Sequence, residues 1–146
     1  MAFAIRWLHV TSAAFLFGGA LLLFILFLVS KRRAADRRTL LDLMQAYEWA
    51  SWGAIGLIVA TGAGNVGHFG AALPDPDSEW GREFTLKLAL VGVFLAFSAV
   101  RSLSVALLEL RPESPRGVPS GLRGMYAATA VFVAAILGAA VALAHF

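Results

Sequence analysis

Three histidines, His9, His68 and His145, are the only imidazoles in the chain, and each falls near one end of a long apolar segment. A neutral imidazole offers a donor nitrogen at ambient pH, which suits an axial haem ligand or a copper ligand. Lys87 sits about two turns into its own apolar segment, as His9 does. A lysine must lose its proton to ligate, so the expected partners of Lys87 are Glu83 one turn earlier, a haem propionate or a lipid phosphate. The chain has no cysteine, which removes disulfides, thiolate metal sites and iron–sulfur clusters together. It also has no nucleophile–base–orienter set, no HExxH, no phosphate-binding glycine loop and no paired intramembrane carboxylates. No catalytic residue is expected, and a hydrolase or kinase has no support.

The elements that must carry these residues are membrane helices. The chain is 60% hydrophobic and 14% charged, where soluble domains run nearer half apolar and a quarter charged. The apolar residues come in blocks long enough to cross a bilayer, and long non-alternating blocks in lipid can only be helices. Four spans are predicted, over about 2–30, 50–68, 79–110 and 122–146, with an amphipathic lead-in at 40–49. This makes residues 1–146 a single all-α domain, an integral membrane four-helix bundle. The first segment lacks a basic n-region and is longer than an h-region, so it is expected to be a retained anchor and not a signal peptide.

The breaks carry good local signals. The basic stretch Lys31 to Arg38 separates the first two spans. Pro74 and Pro76 precede Asp77 and Ser78, either of which can cap the third helix. Pro112, Pro115 and Pro119 with Gly117 and Gly121 stop it before the fourth.

Basic residues set the orientation. Lys31, Arg32, Arg33, Arg37 and Arg38 lie between the first two spans, and Arg111, Arg116 and Arg123 between the last two. Positive loops stay in the cytoplasm, so both termini and the acidic loop with Asp75, Asp77 and Glu79 are expected on the outer, periplasmic side. Trp7 and Trp80 then fit the outer aromatic belt, Trp49 and Trp52 the inner one. The expected location is the bacterial inner membrane, crossed several times.

All three histidines then fall in the outer half. His9 is the deepest, roughly 10 Å below its helix start at ~1.5 Å per residue, and it costs most to bury without a partner. A bond to a Ser or Thr of a neighbouring helix is the alternative to ligation. His68 and His145 lie at helix ends, where an interfacial role competes with ligation. The arithmetic puts His9 and His68 about 7 Å apart in depth. Gly18 and Gly19 in the first helix, and Gly53, Gly56, Gly62, Gly64 and Gly67 in the second, could leave room for a macrocycle or serve close helix packing. Glu48 and Arg101 both fall near the inner boundary; they could pair, but the favoured reading is two side chains snorkelling to the interface. Ser12, Ser51, Thr61, Ser98 and Ser102 can bond across helices or to their own backbone.

Three stretches carry a resemblance. Trp7-Leu8-His9-Val10 followed by Gly18-Gly19, then Ala60-Thr61-Gly62, then Leu86-Lys87-Leu88-Ala89-Leu90-Val91 running to Val100-Arg101, resemble the first three helices of the CopD (copper-resistance D) domain family. The resemblance implies a four-helix membrane domain associated with copper handling. It also implies kinship to membrane haem-binding families of the HemJ type, with His9 as the first-helix histidine and Lys87 as the third-helix lysine. The chain departs from the pattern in having only Met1, Met44 and Met125 as soft ligands and no arginine in the first helix between Ser12 and Ser30.

The leading expectation is a b-type haem protein in electron transfer, alone or as a small subunit of a membrane redox complex. Its haem b would be held by His9 and His68, with Lys87, Gly18, Gly19 and Gly62 around it. The alternative is a CopD-like copper-binding or copper-transport protein, with His9, His68 and His145 as an outer Cu(II) site. The second alternative is a cofactor-free structural or assembly subunit, motivated by the small residues of the second helix. Whether the chain is an enzyme stays open, with electron transfer or transport the expected role. Expected partners are the lipid bilayer, other subunits of a redox complex, or a periplasmic electron or copper carrier. A nucleic-acid partner is not expected, because there is no basic face or motif for one.

Overall fold

The computed structural model describes residues 2–33, 37–68, 75, 77–110 and 119–143. They form four helices: α1 (Ala2–Arg33), α2 (Arg37–His68), α3 (Glu79–Glu109) and α4 (Ser120–Leu143). The fold is all-α, as the apolar blocks require. Three segments are long and apolar enough to cross a membrane, Phe3–Val29, Glu79–Glu109 and Ser120–Val141. The protein is therefore a multi-pass membrane protein in contact with lipid, and large apolar side chains such as Val10, Leu22, Leu88 and Val131 face outward.

The second helix differs from expectation. The lead-in and the span are one uninterrupted helix, because nothing between Arg37 and His68 breaks it. Its first turns carry Asp42, Gln45 and Glu48, and its later turns are rich in Gly and Ala. That dilutes its hydropathy below that of the other three.

The start of α3 is fixed by Ser78, which takes the capping role from the two candidates. Ser78 is extended, at φ −72° and ψ 155°, and its hydroxyl accepts from the Gly81 N–H at 2.9 Å. The same hydroxyl donates to the Asp75 carbonyl at 2.7 Å. The Asp75 backbone crosses α3 so closely that a Cβ on Gly81 would stand 2.0 Å from its oxygen, so only glycine fits there.

The helices form a ring in which α1 packs on α2 and α4, and α3 on α4, while α2 and α3 lie least closely together. Short connections make neighbours antiparallel, and residues early in α1 accordingly meet residues late in α2. Two core clusters follow. One, at the basic-loop end, gathers Leu23, Phe27, Met44, Val105 and Tyr126. The other, nearer the start of α1, gathers Leu16, Ala54, Ile55, Phe94 and Val133. Gly19 lets α1 and α2 approach at the first cluster: a Cβ there would meet the Tyr47 ring at 2.4 Å. Tyr47 in turn donates its hydroxyl to the Leu16 carbonyl at 2.9 Å.

Candidate functional site

His9 lies on α1 opposite Thr61 of α2, with its Nδ1 2.9 Å from the threonine hydroxyl. That hydroxyl has one proton, and the Leu57 carbonyl one turn earlier lies 2.5 Å away to receive it. With that proton on Leu57, Thr61 accepts from His9 Nδ1–H, and the tautomer so formed carries its lone pair on Nε2. A hydrogen bond that fixes one ring nitrogen while the other is left to ligate is the usual support of a metal-binding histidine. The ring also rests on Gly62, where a Cβ would be in ordinary contact at 3.6 Å from Cε1.

His9 opens on a cavity of about 130 Å³ on the bundle axis, to which all four helices contribute. Lys87 is its other polar lining residue, and Leu16, Ile55, Phe94 and Val133 form its floor. No ion pair joins Lys87 to Glu83 among the described residues, since the lysine is half-buried and lines the same cavity as His9. Engineered apolar cavities of ~150 Å³ stay dry and hold a ligand no larger than benzene. Cofactor-sized pockets run from about 300 Å³ upward.

Of the residues singled out in the sequence, the fold thus brings His9, Lys87 and Gly62 together. Gly18 has nothing within 4 Å of its Cβ position, and the space beside Gly19 is filled by Tyr47. The His68 side chain and His145 lie outside the described residues. Along α2, His68 is seven residues beyond Thr61, about 10 Å farther out by helical rise. Among the described residues, no group of three His, Cys, Asp or Glu side chains converges as a metal site would.

Beyond the cavity floor lies a buried polar layer. Arg101 is 0% exposed. It donates through Nε to Glu48 Oε1 at 2.8 Å and through Nη2 to Oε2 at 3.0 Å. Its Nη1 donates to the Thr129 hydroxyl at 2.5 Å. Glu48 also accepts from Tyr126 at 2.8 Å and from Ser102 at 2.6 Å. The guanidinium lies 5.4 Å from the ring centres of both Tyr47 and Tyr126, within cation–π range. The snorkelling reading of Glu48 and Arg101 is therefore overturned: they are a bidentate, buried pair joining α2, α3 and α4. Tyr126 and Thr129 carried no signal as its partners. Arg101 did: Lys87, Phe94, Ser98, Arg101 and Val105 recur at the spacing of one inward stripe, and all five but Lys87 are buried. Ser98, between the cavity floor and the ion pair, is buried with no hydrogen-bond partner.

With that geometry in hand, a family model described as Copper resistance protein D matches residues 41–143, well over half of the chain. The match takes in Thr61, Gly62, Lys87 and Arg101, while His9 and the rest of α1 precede it. No curated protein and no solved structure matches the chain.

Proposed function

We propose that this chain, which belongs to the copper resistance protein D (CopD) family, handles copper at the outer face of the bacterial inner membrane. The observation that carries this reading is the family match over residues 41–143; the His9–Thr61 hydrogen bond is compatible with it when the imidazole proton sits on Nδ1. Imidazole suits copper, and a second-shell hydroxyl of this kind orients the ring. His68 and His145 are the proposed further ligands of an outer Cu(II) site. Lys87 lines the same cavity as His9, and α2 runs on from Thr61 toward His68.

In this reading α2 is a fourth membrane span, and the basic residues keep the 31–38 stretch in the cytoplasm with both termini outside. Copper is cargo here and not a redox group of an enzyme. The family supports this reading over haem-based electron transfer. The test is copper binding by detergent-purified protein, measured by equilibrium dialysis with metal analysis. Near-stoichiometric copper that His9→Ala removes supports the reading. Copper retained by His9→Ala, or none in the parent protein, overturns it.

A further inference from the structure

We infer that the axial cavity is a lipid site: an anionic phospholipid of the bilayer pairs its phosphate with Lys87 and lays part of an acyl chain in the cavity beside it. This goes beyond the copper reading and does not depend on it.

The cavity has one cationic group in an otherwise apolar lining. Among the described residues Lys87 makes no hydrogen bond and no ion pair, and Glu83, one turn before it, does not reach it. The other polar lining residue is His9, whose Nδ1 is engaged with Thr61 and which brings no negative charge. A half-buried ammonium without an anion is costly inside a membrane, so the group that completes this wall is anionic. The rest of the lining is aliphatic, apart from Phe94, so the rest of the occupant is apolar. An anionic head on an apolar body is an amphiphile.

The shape favours a chain over a ring. The cavity reaches from the level of His9 and Lys87 to that of Leu16 and Phe94, about 10 Å by helical rise on both α1 and α3. A volume of about 130 Å³ spread over that length is a narrow slot. A cavity of ~150 Å³ takes benzene, so this one has room for about six carbon atoms of a chain.

The slot also opens toward lipid. Val10 and Val59 belong to its lining and are exposed on the outside of the bundle, and α2 and α3 are the least closely packed neighbours. The depth of Lys87 suits a phosphate. At 31 residues, α3 is about 46 Å long, about 16 Å more than the hydrocarbon core. With that excess shared between its two ends, Lys87, at position 87 in a helix that starts at Glu79, has its Cα roughly 4 Å inside the boundary. From there the side chain reaches the headgroup level while its stem stays on apolar surface.

The test is native mass spectrometry of the full chain, delipidated in detergent and titrated with phosphatidylglycerol or with phosphatidylcholine of the same acyl chains. The first phosphatidylglycerol is expected to bind about fivefold more tightly than the first phosphatidylcholine, the worth of one lysine at an anionic membrane surface. Lys87→Gln should bring the two lipids to parity, and Lys87→Arg should keep the preference. Val133→Phe and Ile136→Phe, which fill the slot from α4 and leave Lys87 in place, should each weaken both lipids. A parent protein without the preference, a preference that Lys87→Gln retains, or lipid binding that both slot-filling variants leave unchanged overturns the site. Copper is absent from every arm, so failure here leaves the copper reading standing, and failure of the copper reading leaves this site standing.

Discussion

Removing one partner of the Glu48–Arg101 pair should be among the most damaging single changes in this protein, while removing both should cost far less. Glu48→Ala takes away two charge-assisted bonds to Arg101 and the bonds from Tyr126 and Ser102. It leaves a guanidinium at 0% exposure whose hydrogen bonds are to Thr129 and, at long range, Ser51, beside the Tyr47 and Tyr126 rings. Breaking a buried pair in this way costs about 3–5 kcal/mol, most of it the penalty of the charge left behind. Arg101→Met leaves the carboxylate with its two hydroxyl donors and should cost a similar amount. The double variant Glu48→Leu with Arg101→Met leaves no buried charge, and such replacements range from neutral to stabilising. The coupling between the two sites should therefore be at least about 2 kcal/mol, within the range for residues of one network. That corresponds to more than tenfold in the unfolding equilibrium. The assay is reversible unfolding by SDS in mixed micelles, followed by helical circular dichroism and tryptophan fluorescence, for the parent and the three variants. Single variants that each lose under about 1 kcal/mol, or losses that simply add in the double variant, would refute the buried-pair reasoning and return both residues to the interface.

Further outcomes follow from individual contacts. Gly19→Val drives a side chain into the Tyr47 ring and should destabilise the bundle by about 1–3 kcal/mol in the same SDS titration, whereas Gly18→Val, with open space around it, should be close to neutral. Ser78→Ala removes the α3 cap and should cost about 1 kcal/mol; Gly81→Ala, which collides with the Asp75 carbonyl, should cost more, as read by hydrogen exchange of the first turn of α3. Thr61→Val keeps the shape but removes the acceptor for His9 Nδ1–H, so copper affinity should fall about 10- to 100-fold in a competition titration, with unfolding little changed.

Much of the fold was legible because lipid imposes simple rules. Blocks of apolar residues had to be helices, and the prolines and glycines near 74–76 and 112–121 had to interrupt them. The start of α2 was not legible, because the Leu40–Trp49 stretch has a polar face that reads as a separate lead-in. No breaker follows it, and that polar face is the one that carries Glu48 into the core. His9 was legible as an imidazole that either ligates or bonds to a Ser or Thr of a neighbouring helix; it is half-buried, and Thr61 supplies that hydroxyl. The cavity was not legible, since its size depends on how four helices pack side by side. The same holds for the polar layer. Two charges near a membrane boundary favour snorkelling when taken alone, and only the packing of α4, with Tyr126 and Thr129, makes burial the better outcome.

The measurement that bears most directly on the account is metal analysis combined with a dithionite-reduced minus air-oxidised visible spectrum on one detergent-purified sample of the parent protein and of His9→Ala. The account expects copper on the parent protein, its loss from His9→Ala, and no haem α-band in either. A sharp reduced α-band that His9→Ala abolishes, without bound copper, would contradict it and restore the b-type haem reading in place of copper handling.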